Sequence, residues 1–264
     1  MLAVANGAYK SGSTWQFTIL RELTGFGAPP AEFLTRWKHP SLQARTIGEF
    51  LSTGLHRRND YLVKQHIKRP TLDAFAPYLD DDIRFFDIVR DPRDVVTSAY
   101  YHERREGFRG GFRLHYWLRG RRVHKIVRRH HRDMAETIPP QRLCVSSYEG
   151  LIADFADELR KMATALGVAL APERIEEIRA KTSMGAMRQS HDDASIIHGK
   201  EFFRKGVPGD YANHYGALEL RDYREIEGLR KLKLAALIGD PLAAGYHTWR
   251  KVRRFLRKPR GASA

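Results

Sequence analysis

The sequence predicts an α/β fold: one domain with a central, mostly parallel sheet flanked by helices. Three observations carry this. Short apolar runs alternate along the chain with stretches whose apolar residues recur at helical spacing. Glycine, proline or aspartate stands where several of these stretches begin or end. The chain has 264 residues, 42% of them hydrophobic and 29% charged. That is enough for a full core, and no apolar run approaches the ~20 residues that span a bilayer.

The elements follow in order. Leu2-Ala3-Val4-Ala5 reads as a strand that leads into a turn at Gly7. From Thr14, the residues Trp15, Ile19, Leu20 and Leu23 share one helical face, closed by Gly25 and Gly27. Ile47, Phe50, Leu51 and Leu55 predict a second helix, and Tyr61-Leu62-Val63 a short strand. Arg84 to Val89 is a stronger strand. Asp91-Pro92 then reads as a cap with proline at the first helical position, ahead of Val95, Val96, Ala99 and Tyr100. Leu143-Cys144-Val145 is a further strand. Leu151, Phe155, Leu159, Met162 and Leu166 predict one helix ending at Gly167, and Pro172 opens the next.

Cys144 is the single cysteine, which excludes a disulfide framework and argues against a cysteine-based zinc site. There is no Asn-x-Ser/Thr sequon and no basic n-region at the start, so the expectation is a cytoplasmic protein. Lys plus Arg number 46 against 31 Asp plus Glu, a net +15 that attracts anions. The excess is concentrated. Residues 104–132 hold 11 Lys/Arg and one acid, Glu106, and residues 246–260 hold seven Lys/Arg and no acid.

Ligands in parallel sheets bind beyond the carboxyl ends of the strands. The residues there are therefore the candidates. After the first strand, Gly7 to Trp15 includes Lys10, Ser11, Gly12, Ser13 and Thr14. Small residues let backbone amides wrap a phosphate at a helix start, although Lys10 lies inside the loop rather than at the Walker A position. A plain Gly/Ser cap fits the same residues. After the second strand, Lys64 and His66 alternate to one side, and His66 is a candidate general base. An ordinary solvated pair is the alternative. After the third, Arg90 suits a phosphate, with Ser98 on the following helix, or else pairs with Asp91 or Asp94. Late in the chain, Arg204 and Lys205 precede the flexible turn Gly206-Val207-Pro208-Gly209. That segment suits a second phosphate or a basic surface loop.

These four segments, in this order, resemble the PAPS-dependent sulfotransferases of the cytosolic type. The family's Pro-Lys-Ser-Gly-Thr-Thr-Trp stands here as Tyr9-Lys10-Ser11-Gly12-Ser13-Thr14-Trp15. Its Lys-Thr-His is Lys64-Gln65-His66, and its Arg with Ser eight residues on is Arg90 and Ser98. Its Arg-Lys-Gly-x-x-Gly-Asp-Trp is Arg204 to Tyr211, while Tyr148-Glu149 and Thr182-Ser183-Met184 match a Tyr-Glu and a Thr-Ser-Phe. The resemblance runs from about Val4 to Tyr215. Tyr9 and Tyr211 depart from it, and the family's C-terminal dimer motif is missing after Tyr215, which leaves the oligomeric state open.

The resemblance implies PAPS as donor, PAP as product, no metal, and a P-loop-like loop for the 5′-phosphosulfate. The cofactor set it implies is Lys10, Ser11, Gly12, Ser13, Thr14 and Trp15, with Tyr148, Thr182 and Met184 near the adenine. Arg90, Ser98, Arg204, Lys205 and Gly206 take the 3′-phosphate. The catalytic set is His66, Lys10, Lys64 and Ser98. The acceptor is a small molecule, lipid or carbohydrate, with no nucleic acid expected. A non-catalytic PAP- or nucleic-acid-binding protein on the same fold is the alternative. The domain is expected over residues 1–245. The basic tail 246–264 fits either an interfacial helix on anionic lipid or a helix packed on the domain. In the stretch from Arg113 to Arg132, Tyr116, Trp117, Val123, Ile126 and Val127 are the expected packed face of a solvated helix, ahead of a rim that attracts an acidic or lipid-borne acceptor and of a nucleic-acid surface.

Overall fold

In the computed structural model the described residues are 1–35, 39–79, 82–194 and 206–228. The elements in chain order are β1 (Leu2–Gly7), α1 (Ser13–Thr24), α2 (Ile47–Ser52), α3 (Leu55–Arg58), β2 (Tyr61–Lys64), α4 (Arg69–Phe75), β3 (Ile83–Val89), α5 (Pro92–Arg105), α6 (Phe112–His115), α7 (Arg121–Thr137), β4 (Leu143–Ser147), α8 (Tyr148–Ala153), α9 (Phe155–Leu166), α10 (Pro172–Lys181), α11 (Met184–Ala194) and α12 (Ala217–Gly228). The tail from residue 246, the boundary at 245, and Arg204 and Lys205 lie outside the described residues.

The strands are ordered β2-β1-β3-β4 and every pairing is parallel. β1 is central and buried along its whole length, which explains its unbroken apolar run. Its pleat divides the core in two. Ala3 and Ala5, with Leu62, Phe86 and Ile88, pack against Ile19 and Leu20 of α1, Leu159 and Met162 of α9 and Ile178 of α10. Leu2 and Val4, with Val63, Ile83 and Phe85, pack against Phe50 of α2, Phe75 of α4 and Met134 of α7. The chain leaves β1 for β2 on one side and returns to β3 on the other, so the strand order reverses between β1 and β3. That is where parallel sheets open a crevice.

Several local expectations match. Gly25 takes φ 66° and its N–H closes α1 on the Arg21 carbonyl, Asp91 caps α5 by accepting from Arg93 N, and Gly167 ends α9 at φ 68°. Three differ. The helix expected across Ile47–Leu55 breaks at Gly54, whose φ of 68° is left-handed and starts α3 afresh. The helix expected from Leu151 to Leu166 is two helices, because Asp154 leaves helical geometry and its side chain caps α9 by accepting from Asp157 N. On α7 the buried residues are His124, Val127, His130 and Met134, while Ile126 is 48% exposed. Polar partners draw the histidines inward: His124 bonds the Tyr215 hydroxyl, and His130 bonds Asp87.

Candidate functional site

The first loop is built by close approach. A Cβ on Gly7 would lie 2.5 Å from Ser11 Oγ and 2.7 Å from Ile88 Cγ2. Ser11 is fully buried, and its hydroxyl and amide both donate to the Ala8 carbonyl, at 2.7 and 3.1 Å. Lys10 takes φ 65°, so the chain wraps tightly there. Gly12, at φ 105°, stands where a side chain would strike the Tyr148 ring at 2.7 Å. α1 then starts at Ser13 with no side-chain cap and no acid in its first turn. Its opening amides and the positive end of its dipole therefore face the loop.

Cations border this helix start. Lys64 donates from Nζ to Thr14 Oγ1 at 2.8 Å, tying the end of β2 to the first turn of α1. The pKa of Lys10 is lowered to about 7, first by burial and then by the charges of Arg105, Lys64 and Arg90, with Glu106 opposing. His66 follows β2 by two residues, and its Nδ1 lies 2.9 Å from the Gly7 carbonyl. Desolvation by the surrounding protein and the Lys64 charge lower its pKa to about 4, against the opposing pull of that carbonyl, while the residue keeps an exposed edge. The imidazole is therefore neutral near pH 7. Since a carbonyl only accepts, Nδ1 carries the hydrogen and Nε2 holds a lone pair.

Arg90 does not pair with Asp91 or Asp94. Asp91 is taken by Arg93, whose Nη2 lies 2.6 Å from Oδ2. Asp94 is buried and accepts the amides of Gly209 at 2.7 Å and Tyr211 at 2.9 Å. Arg90 instead lays its guanidinium 4.1 Å from the centre of the Tyr148 ring. Its Nε is buried with no hydrogen-bond partner among the described residues. Ser98 lies half-buried farther along α5.

Tyr148, at the start of α8, is the hub of the remaining contacts. Its hydroxyl donates to the Gly206 carbonyl at 3.1 Å, and its ring meets Trp15 edge-on at 5.4 Å. Trp15 is buried and donates from Nε1 to the Thr182 carbonyl at 2.9 Å. Met184 lies beside Gly206, with its Cγ 3.3 Å from where a Cβ there would stand. The fold thus brings together Lys10, Ser11, Gly12, Ser13, Thr14, Trp15, Lys64, His66, Arg90, Tyr148, Thr182, Met184 and Gly206. Their sequence separations range up to most of the described chain.

Sequence reasoning missed two groups. Asp94, read as a partner for Arg90, pins the late glycine turn to α5. Asn6, Asp87 and His130 form a buried polar cluster behind His66. A polar Asn and Asp inside otherwise apolar strands is the one signal that pointed there. Among the described residues, no three His, Cys, Asp or Glu side chains gather as a metal site, and no helix is long and apolar enough to cross a membrane.

Comparison with known proteins adds the following. A family model described as "Sulfotransferase domain" matches residues 4–228. The 3-beta-hydroxysteroid sulfotransferase of the guinea pig, Cavia porcellus, is 24% identical over 234 residues, covering 82% of this chain and 79% of that protein. The crystal structure of mouse sulfotransferase SULT7A1 complexed with PAP superposes with a TM-score of 0.65 at 20% identity, covering 94% of this chain and 88% of that one. Retinol dehydratase in complex with androsterone and inactive cofactor PAP gives 0.64 at 14% identity, covering 88% and 81%. At these identities the two solved structures show a shared fold.

Proposed function

The chain belongs to the sulfotransferase domain family, and from that premise we propose that it moves a sulfuryl group from PAPS to a hydroxyl or amine of a small-molecule acceptor, releasing PAP. It is an enzyme of the sulfotransferase class. The observation that carries the donor assignment is an uncapped helix start bordered by Lys10, Lys64 and Arg90 at the reversal of strand order. A nucleotide with phosphate at both ends suits it. Amides of the first loop and Lys10, with Ser11, Gly12, Ser13 and Thr14, hold the 5′-phosphosulfate. Arg90 offers a buried, unpartnered Nε for the 3′-phosphate, and this reading assigns Ser98 and Gly206 to the same phosphate, together with Arg204 and Lys205, which lie outside the described residues. Trp15, Tyr148, Thr182 and Met184 form the wall for the adenine.

In the reaction the acceptor oxygen or nitrogen attacks sulfur, and the bond from sulfur to the bridging phosphate oxygen breaks. His66 Nε2 takes the acceptor's proton, while its Nδ1–H stays on the Gly7 carbonyl. Lys10 stabilises the charge that grows on the bridging oxygen, and Lys64 neutralises sulfuryl oxygens. A sulfuryl group carries less negative charge than a phosphoryl group, so lysines take the place of the divalent ion that kinases use, and no metal enters this reading.

The direct test is thermal melting with PAP, ATP and 5′-AMP. PAP at 100 times its Kd is expected to add about 2.7 kcal/mol of stability. ATP, which lacks the 3′-phosphate, is expected to add little. Equal shifts with PAP and ATP, or no shift with PAP, overturn the donor assignment. Replacing His66 by Ala is expected to lower turnover roughly 10²–10⁴-fold and to leave PAP binding intact. Near-normal turnover removes His66 from its role.

A further inference from the structure

The three residues after β2 are stitched to three consecutive residues of β1. Gln65 donates its amide to the Ala5 carbonyl at 2.7 Å. His66 donates from Nδ1 to the Gly7 carbonyl at 2.9 Å. Between these contacts, Ile67 donates its amide to the side chain of Asn6, at 2.9 Å from Oδ1. The other backbone group of Ile67, its carbonyl, faces His130 Nδ1 at 3.3 Å. The amide of the peptide that follows His66 is therefore held by the Asn6 side chain, and the next carbonyl faces the His130 ring, at the point where the strand ladder has ended.

Asn6 and His130 converge on one carboxylate. Asn6 Nδ2 donates to Asp87 Oδ1 at 2.9 Å, and His130 Nε2 lies 2.8 Å from the same oxygen. A carboxylate only accepts, so His130 Nε2 carries a hydrogen. Asn6 and Asp87 are register partners in adjacent parallel strands, and His130 reaches them from α7. Asn6 is 0%, Asp87 2% and His130 8% exposed. A buried carboxylate, amide and imidazole are costly to bring out of water unless each is satisfied. Plain apolar packing would hold β1 to β3 without that cost.

We propose that Asn6, Asp87 and His130 are positioning residues: a buried clamp that holds the His66–Ile67 backbone so that the His66 ring keeps its Nδ1–H on Gly7 and presents Nε2 to the acceptor. The inference rests on the reading of His66 as general base. The clamp touches neither donor nor acceptor. It acts only through the backbone of its neighbour, and a ring displaced by about 1 Å loses much of its value as a base.

Histidine ¹⁵N NMR of the full-length protein with saturating PAP tests it without any acceptor. The His66 ring signals are identified by their loss in His66→Ala. The wild-type ring is expected to show one tautomer, with hydrogen on Nδ1. His130→Ala is expected to move both ring nitrogens toward their average, as the two tautomers mix, while PAP still shifts the melting temperature by the wild-type amount. His130→Gln, which keeps a donor for Asp87, is expected to restore the single tautomer. If His130→Ala does not melt cooperatively, Asn6→Ser is read in the same way.

A single, unchanged His66 tautomer in the folded variants, with only a lower melting temperature, overturns the clamp and leaves a structural cluster. Failure of the general-base reading looks different. In that case His66→Ala keeps near-normal turnover, whatever the state of the His66 ring in the clamp variants.

Discussion

Lys10 and His66 are both pushed toward their neutral forms, with opposite consequences. In the proposed role of His66 the neutral form is the useful one, since a base must hold its lone pair at working pH. For Lys10 the neutral form is the cost of gathering cations around a half-buried, desolvated ammonium before an anion arrives. With its pKa lowered to about 7, Lys10 is only partly charged near neutrality in the free protein. A bound phosphosulfate or phosphate raises that pKa again, so binding draws in a proton. Between pH 7 and 9, PAP affinity is therefore expected to fall as pH rises, by up to about tenfold per unit. Calorimetry in buffers of different ionisation enthalpy checks the proton uptake. Lys10→Arg keeps its charge throughout and is expected to flatten the dependence. A flat profile in the wild-type protein contradicts the role of Lys10. Residue types and spacings marked Lys10 and His66 as candidates, and only the resemblance gave them roles. Their lowered pKa values were not legible, because lost hydration depends on what the rest of the chain stacks above them.

At the scale of elements, the site is assembled from the ends of β1, β2 and β3 and the starts of α1, α5 and α8. Two of these starts were marked in the sequence by a local device: the small-residue loop before α1 and Asp91-Pro92 before α5. The breaks that were missed also have local causes. Asp154 reads as one residue in an apolar repeat, yet its carboxylate accepts the amide of Asp157 at 3.0 Å and restarts the helix. Asp154→Ala is expected to destabilise the protein by about 1 kcal/mol, read as a lower melting temperature. Its PAP affinity is expected to be unchanged, since the cap lies at the far end of α8 from Tyr148. Loss of PAP binding would instead tie α9 to the nucleotide wall. Periodicity placed Leu151 and Leu166 on buried faces correctly. It could not show the break between them, because a cap and a mid-helix aspartate look alike in a repeat of that length.

For the whole molecule, the reversal of strand order between β1 and β3 brings distant segments of the chain together at one end of the sheet. Asp94 then fastens the late turn at Gly209 and Tyr211 across α5. On PAP binding, amide hydrogen exchange is expected to slow together in residues 7–15, 88–98 and 206–215. Residues 155–166, on the flank of the sheet, are expected to stay as they are. Protection confined to one of the three segments would mean they do not form one site. What the sequence by itself determined was local: the alternation of strands and helices, the small-residue loop, the cations at strand ends, and the order of motifs that marks the family. These follow from steric and polar preferences acting within a few residues. Only the tertiary structure decided which acid each arginine meets, which face of α7 is buried, and that Asn6, Asp87 and His130 share one oxygen behind His66. Those are choices among partners far apart in the chain, made when burial leaves each polar group a single neighbour able to satisfy it.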